Sequence, residues 1–304
     1  MSNCSFQVLG SSSATPTKKR FPTAHLLKVD GRFFLLDCGE GAQIQLKRFG
    51  VRFQRIEKIF ITHLHGDHYY GLIGLLNSFH LLGREKPLII YGPKGLREIL
   101  DVQLQITGRS FNYSYEIEEW NKPDFVTIFE DDKVRIDRFP LKHGIPCCGY
   151  YFTIKPGKLK VNQERIQELK IPLIHLGDIQ KGNDYVDDHG NIIANKELTL
   201  PPRPAKRIAY CTDTKFVPEL AKQLESPDLL YHESTFLNKD LDRAKETNHS
   251  TAEQAATFAK ICDAKKLILS HFSARYKNVD PFLEEACKIF KNTILAEDGL
   301  EVDF

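Results

Sequence analysis

Hydrophobic positions along this chain fall in short runs that switch between a period of two and a period near 3.6. Phe6-Gln7-Val8-Leu9 reads as a strand and stops at Gly10 and a run of serines. His25 to Val29 and Arg32 to Leu36 are extended runs, and Asp30-Gly31 between them is a strong two-residue hairpin signal. Asp37-Cys38-Gly39-Glu40-Gly41 opens a helix-like stretch through Arg48, with Gly50 as its stop. Lys58 to Ile61 returns to strand, and Tyr69 to Leu82 reads as helix. Leu88 to Tyr91 is a further strand, and Pro93 leads into a helix ending near Thr107.

The middle of the chain is more β-like. Val134 to Phe139 alternates and Tyr150 to Ile154 is extended. From Lys155 to Pro204 the pattern loosens into lysines, glycines and a Pro201-Pro202-Arg203-Pro204 cluster. We read 155–204 as an inserted arm and connecting segment within a single domain spanning 1–304; a plain surface loop is the competing reading. The final third resumes the earlier rhythm. Arg207 to Cys211, Leu229 to Tyr231 and Lys266 to Leu269 are candidate strands; Phe216 to Leu224, Ser250 to Ile261 and Pro281 to Phe290 are candidate helices. Ser250-Thr251-Ala252-Glu253 resembles a capping box. Mixed strand–helix units around a β-rich middle predict an α/β (α+β) fold with sheets inside and helices outside.

Into this rhythm the chain inserts Thr62-His63-Leu64-His65-Gly66-Asp67-His68, directly after the Lys58 to Ile61 strand. Extended backbone puts His63 and His65 on one side, and Gly66 can supply a tight turn that carries Asp67 and His68 toward a second point. Imidazole and carboxylate are zinc ligands, and so dense a set fits a metal site better than a surface loop. One loop cannot complete two sites, so further ligands must come from elsewhere. His143, Asp213 and His271 each end a strand-like run, where active groups collect in folds with parallel strands. Any one of them alone is more often structural; their weight comes from occurring together with the loop.

His63-x-His65-x-Asp67-His68, followed in order by His143, Asp213 and His271, resembles the metallo-β-lactamase superfamily over nearly the whole chain. The resemblance implies an αββα sandwich with two Zn²⁺ ions at one edge of the central sheets. It implies His63, His65 and His143 on the first ion, Asp67, His68 and His271 on the second, and Asp213 bridging them. Asp37 matches the superfamily's first motif as an orienting group rather than a ligand. Within the superfamily, five further stretches are similar to the ribonuclease Z family of tRNA 3′-processing endonucleases: Tyr91-Gly92-Pro93-Lys94-Gly95, His232-Glu233-Ser234-Thr235-Phe236, His249-Ser250-Thr251, Ser273-Ala274-Arg275-Tyr276 and the Ala14 to Arg20 loop. The chain departs from that family's His-Glu-Ala-Thr only at Ser234. A protruding flexible arm, acting as exosite for the tRNA body, is also implied, as is a homodimer.

The expected reaction is removal of the 3′ trailer from precursor tRNA, leaving a 3′-hydroxyl. Paired ions suit it, because they screen charge at phosphorus and bring a bound water's pKa to roughly 7. By the resemblance Asp67 takes the proton of the attacking water. His249 is the candidate proton donor to the leaving oxygen, with Glu233 positioning it and favouring the charged ring; alternatively His249 only precedes a helix cap. Arg275 can grip the scissile phosphate bidentately or sit in a surface salt bridge. Lys155, Lys158 and Lys160 of the arm would add salt-sensitive phosphate contacts, or be solvated surface charge. Lys18, Lys19 and Arg20 would approach the acceptor end, or equally be solvated surface charge. Phe111-Asn112-Tyr113-Ser114-Tyr115 is read as packing in preference to base stacking.

Composition restricts the alternatives. A net charge of +2 carries no global polycation signature, so RNA binding requires local basic surface. Seven cysteines, odd in number and mostly within apolar runs, fit free thiols in the cytoplasm. No apolar run approaches the roughly 18–20 residues of a membrane span, and the N-terminus shows no secretion signal. Two rivals remain: a small-molecule phosphodiesterase or other hydrolase on the same scaffold, and an RNA-binding scaffold with a dead site.

Overall fold

The computed structural model describes residues 4–108 and 110–304. These divide into two compact units, one of residues 4–128, 136–152 and 207–304, the other of 129–135 and 153–206.

Two seven-stranded sheets organise the fold. In chain order their strands are β1 Cys4–Gly10, β2 Ala24–Val29, β3 Arg32–Cys38, β4 Ile56–Phe60, β5 Leu88–Pro93, β6 Tyr115–Trp120, β7 Val126–Glu130, β8 Val134–Leu141, β9 Cys147–Ile154, β10 Lys206–Cys211, β11 Leu229–Glu233, β12 Leu267–Ser270, β13 Thr293–Leu295 and β14 Glu301–Asp303. The first sheet runs β14-β1-β2-β3-β4-β5-β6, the second β13-β12-β11-β10-β9-β8-β7. β2 and β3 form the expected hairpin. Asp30 (φ 48°) and Gly31 (φ 82°) both take the left-handed conformation that such a turn demands. From β3 to β6 and from β10 to β13 neighbouring strands are parallel, so their C-terminal ends face one way.

Aromatic side chains fill the space between the sheets. Phe60 packs edge-on against Phe152 and Tyr150 (5.5 and 5.0 Å between ring centres), and Phe6 lies 5.7 Å from Tyr231. Helices cover the outer faces. Leu72, Leu75, Leu76 and Phe79 of the helix Leu72–Leu81 are fully buried in one cluster with Leu35, Ile59 and Ile90. At roughly 1.5–3 kcal/mol per buried Leu or Phe, that packing outweighs the ~1 kcal/mol cost of Gly74 within the helix. On the second sheet's far side Phe258 of the helix Ala252–Ile261 meets His232 at 4.8 Å. Helix, sheet, sheet, helix is the αββα sandwich of the metallo-β-lactamase type.

Local departures from the sequence reading have physical causes. The Tyr69 to Leu82 stretch is two helices, Gly66–Tyr69 and Leu72–Leu81, meeting at Gly71, where a Cβ would lie 2.1 Å from the Gly39 carbonyl oxygen. Pro93 ends a strand instead of starting a helix. That helix begins at Leu96, and Glu119 from β6 caps it by accepting the Gly95 and Arg97 amides at 2.8 and 3.0 Å. The capping box is shifted by one residue, to Thr251 and Gln254. Ser250 is turned elsewhere, its hydroxyl donating to the Thr214 carbonyl at 2.7 Å. Phe216 to Leu224 retains only a short helix, Pro218–Ala221.

The second unit, which holds most of the loosened segment, carries a small core of its own: Ile166, Ile171, Ile179, Tyr185 and Leu198. Its ribbons pair two residues with two, Lys160–Val161 with Thr199–Leu200 and Tyr185–Val186 with Ile192–Ile193, too short for any periodicity to register. Asn195 ties the unit together by donating to the Ile179 and Asn183 carbonyls at 2.7 and 2.8 Å.

Candidate metal centre

Seven side chains converge where strands end. His63, His65, Asp67 and His68 follow β4, His143 follows β8, Asp213 follows β10 and His271 follows β12. Asp213 organises them. Its Oδ2 lies 3.6 Å from His63 Nε2 and 3.7 Å from His143 Nε2, and its Oδ1 lies 3.4 Å from His68 Nε2 and 3.1 Å from His271 Nε2. His65 Nδ1 completes the first group, 3.1 Å from the Nε2 atoms of both His63 and His143. Asp67 Oδ2 completes the second, 3.4 Å from His68 Nε2 and 3.5 Å from His271 Nε2. Gly66 has no positive φ; it starts a short helix that turns Asp67 and His68 away from His65.

An oxygen acceptor stands at the far nitrogen of four of these rings. His68 Nδ1 donates to Asp37 Oδ2 at 2.9 Å, His143 Nδ1 to the Asn248 carbonyl at 3.1 Å, His63 Nδ1 to Thr62 Oγ1 at 3.0 Å and His271 Nδ1 to Thr235 Oγ1 at 2.9 Å. Each bond fixes its ring with Nε2 facing the cluster, the orientation in which that nitrogen's lone pair would serve a metal. Nε2 of His68 and of His271 is buried without a hydrogen-bond partner, and burying such a group unpaired costs stability. Burial pulls the His68 pKa down, but Asp213, Asp67 and Asp37 together raise it well above its ordinary value. Burial disfavours the charged Asp67 and Asp213 carboxylates, yet the surrounding histidines hold both well below the usual carboxylate range. Two buried carboxylates, Asp37 and Asp213, and the half-buried Asp67 pair with histidines among the described residues, and this N/O donor set fits cations. Such a donor set is suited to holding metal.

A further buried carboxylate lies alongside. Glu233, at the end of β11, accepts from His249 Nδ1 at 2.9 Å, from the Ser250 amide at 2.9 Å and from Thr235 Oγ1 at 2.8 Å. Burial lowers the His249 pKa, but Glu233 overcomes it and pushes it up to about 9. The cluster and His249 border an open cleft of about 660 Å³ that is also lined by Ala14, Tyr70 and Asn248. The Ala14 amide, at φ 54°, donates to Asp67 Oδ2 at 2.8 Å.

Other residues singled out in the sequence lie elsewhere. Arg275 is not among the cleft-lining residues; its guanidinium sits 4.9 Å over the Phe236 ring and 3.6 Å from Asp240. Arg20 donates to the Tyr276 carbonyl at 3.1 Å. Tyr113 is buried, with its hydroxyl on the Leu76 carbonyl, and Phe111 stacks on it. Lys155, Lys158 and Lys160 belong to the second unit, where Lys155 pairs with Glu130 at 2.6 Å.

Comparison with known proteins agrees with this geometry. A family model described as a beta-lactamase superfamily domain matches residues 198–272, and one described as anti-Pycsar protein Apyc1 matches residues 4–131. A ribonuclease Z of Bacteroides fragilis is 42% identical over 300 residues, 99% of each chain. The chain belongs to the ribonuclease Z family. The crystal structure of human tRNase Z, short form, superposes with a TM-score of 0.74 at 29% identity, covering 98% of each chain. The metallo-beta-lactamase fold protein YhfI of Bacillus subtilis, at 18% identity and TM-score 0.68 over 98% of each chain, shares the fold. Sequence reasoning on this ribonuclease Z family member misses the groups behind the ligands: Tyr210, Thr62, Thr235 and the Ala14 amide. Tyr210 donates to Asp37 Oδ2 at 3.0 Å and lies 3.2 Å from His25 Nδ1, and only its place three residues before Asp213 hints at a role.

Proposed function

We propose that this chain is an endoribonuclease that cuts precursor tRNA on the 3′ side, releasing the trailer and leaving a 3′-hydroxyl on the tRNA. Asp213 carries the reading: its two oxygens address two separate ligand groups on the floor of an open cleft. Membership of the ribonuclease Z family supplies the substrate class. His63, His65 and His143 would hold one Zn²⁺ and Asp67, His68 and His271 a second, with Asp213 shared; zinc suits an imidazole-rich set. When bound, the ions neutralise phosphate charge and acidify water.

The chain's own groups supply the proton transfers. Asp67, kept ionised, orients the attacking water and accepts its proton as the new P–O bond forms. His249, kept protonated by Glu233, gives a proton to the departing ribose 3′ oxygen as the old P–O bond breaks. Arg275 and Lys155, Lys158 and Lys160 would contact tRNA phosphates, with residues 155–204 serving as the exosite arm. A homodimer fits the exposed Leu81 and Ile106 on two helices that flank an apolar groove, with exposed Leu82 just past the first. Seven free thiols fit the reducing cytoplasm.

The test is the purified protein on a tRNA bearing a 3′ trailer, beside a chromogenic phosphodiester, with the new end mapped. Turnover of the small ester with none of the tRNA would instead favour the small-molecule hydrolase. Metal analysis of the same preparation reads zinc identity and stoichiometry.

A further inference from the structure

Among the described residues, the large aromatic side chains that remain exposed are Tyr70 and Phe125, and Tyr70 is the more open at 62% against 45%. Tyr70 also lines the cleft beside His65, Gly66 and Asp67. An aromatic ring left in water at the mouth of a polar site gains nothing from the fold, which buries most of its other aromatics. Its placement is nonetheless fixed. The ring lies against the backbone of residue 66, where an added Cβ would stand 2.0 Å from Tyr70 Cε2. Tyr69 meets it edge-on at 5.0 Å, and the Tyr70 amide closes the short helix on the Gly66 carbonyl at 2.9 Å. Gly66 is therefore required less for its own conformation than for the room it gives this ring between two ligand residues.

We propose that Tyr70 is a base-stacking platform, receiving the nucleobase next to the scissile phosphate. The proposal rests on the RNA-cleaving reading above and deepens it. Phosphate and ions can fix only the backbone of the substrate at the cluster, and a flexible single-stranded end needs a second hold to present one phosphodiester. A ring with one side on the loop and the other open offers that hold to any base, since every base has a π-face. The 3′ end of tRNA is single-stranded, so its bases are free to stack.

The experiment uses the metal-loaded enzyme and a trailer-less tRNA whose 3′-terminal base is 2-aminopurine, a ligand that binds without being cut. Wild type and Tyr70→Phe should quench its fluorescence. Tyr70→Ala and Tyr70→Leu should lose the quench and bind about 5- to 150-fold more weakly, the range that removal of one base–aromatic stack produces. KM for trailer-bearing tRNA should rise in the same two variants and stay near wild type in Tyr70→Phe. Leucine keeps the bulk without the π-face, and melting curves with metal content check that each variant folds. Wild-type quenching and affinity in Tyr70→Ala or Tyr70→Leu would overturn the stacking role. Absence of tRNA cleavage by wild type would overturn the underlying reading, a separate result from either.

Discussion

Tyr210 donates its hydroxyl proton to Asp37 Oδ2 across 3.0 Å, and the same oxygen accepts the Nδ1 proton of His68 across 2.9 Å. His25, neutral because burial lowers its pKa, completes the line at 3.2 Å from the Tyr210 oxygen. The protons run one way, from His25 to Tyr210 to Asp37, and each bond orients the next. Removing the hydroxyl by Tyr210→Phe leaves Asp37 held by the Thr62 amide and hydroxyl, so the loss of stability should stay near ~1–3 kcal/mol. The larger effect should fall on the metal: orienting partners of this kind are worth about 10–100-fold in affinity. Chelator competition reads the metal and thermal melting reads the fold. A melting shift with unchanged metal affinity would make Tyr210 a packing residue only.

Asp213→Asn tests the shared carboxylate. It removes one negative charge from the centre of both ligand groups and puts an amide nitrogen against bare imidazole lone pairs. Both metal positions should be lost together, and tRNA cleavage with them. Mass spectrometry of the native protein provides the reading. Retention of one full equivalent would show that Asp213 serves only one group. In wild type, stripping with chelator should lower the melting temperature, because an ion bound only by the folded state stabilises it by mass action.

Glu233 sets the working form of His249. With the pKa pushed up to about 9, the ring stays protonated through neutral pH and loses its proton as pH rises through that value. Proton donation to the leaving oxygen should therefore be full below about pH 9 and fall above it. The same pairing stabilises the fold fully below the unfolded imidazole pKa, and that contribution is lost as pH rises through about 9. In Glu233→Gln the chief cause of the rise is gone while burial, which lowers the pKa, remains. The basic limb of kcat should move down from about 9, with Asp213 and Asp67 still opposing burial. A pH profile of kcat for wild type and variant decides it; an unmoved limb would remove His249 from the donor role.

Which parts of this site can be read along the chain follows from how far apart their chemistry lies. His63, His65, Asp67 and His68 share one loop, so spacing alone exposes them. His143, Asp213 and His271 are legible because each ends a strand, the place where parallel sheets collect functional groups. Tyr210, Thr62 and Thr235 are not legible, because a tyrosine or threonine in a strand is ordinary core material until its partner across the sheets is known. Arg275 follows just after His271, and its guanidinium rests over the Phe236 ring, a placement that sequence position does not reveal. The helix cap at 250–251 is one residue away from its expected place because Ser250 and Thr251 are both able to cap, and in the fold Ser250 turns to the Thr214 carbonyl and Thr251 to Gln254.

That distinction is testable. Thr251 Oγ1 accepts the Gln254 amide at 3.2 Å, and Gln254 Oε1 accepts the Thr251 amide at 3.0 Å. Thr251→Ala removes the cap and should cost ~1 kcal/mol, within a range of about 0.5–2 kcal/mol. Urea unfolding should show a lower midpoint with an unchanged slope. Equal midpoints for variant and wild type would mean that the helix end is held by other groups.

The lysines of the second unit should act through tRNA affinity and leave the chemistry alone. Lys155 already pairs with Glu130 and donates to the Asp131 carbonyl, both within that unit. A lysine committed to a carboxylate has less to offer a phosphate, so Lys155 should contribute less than Lys158 and Lys160. Replacing Lys158 and Lys160 by glutamine should weaken tRNA binding and flatten its dependence on salt, by roughly 0.7–0.9 in log–log slope for each phosphate no longer neutralised. Lys155→Gln should do less. Titrations of each variant at several salt concentrations, alongside hydrolysis of a small phosphodiester, separate binding from chemistry. If the double variant slowed the small ester as much as the tRNA, the exosite reading of this segment would fall.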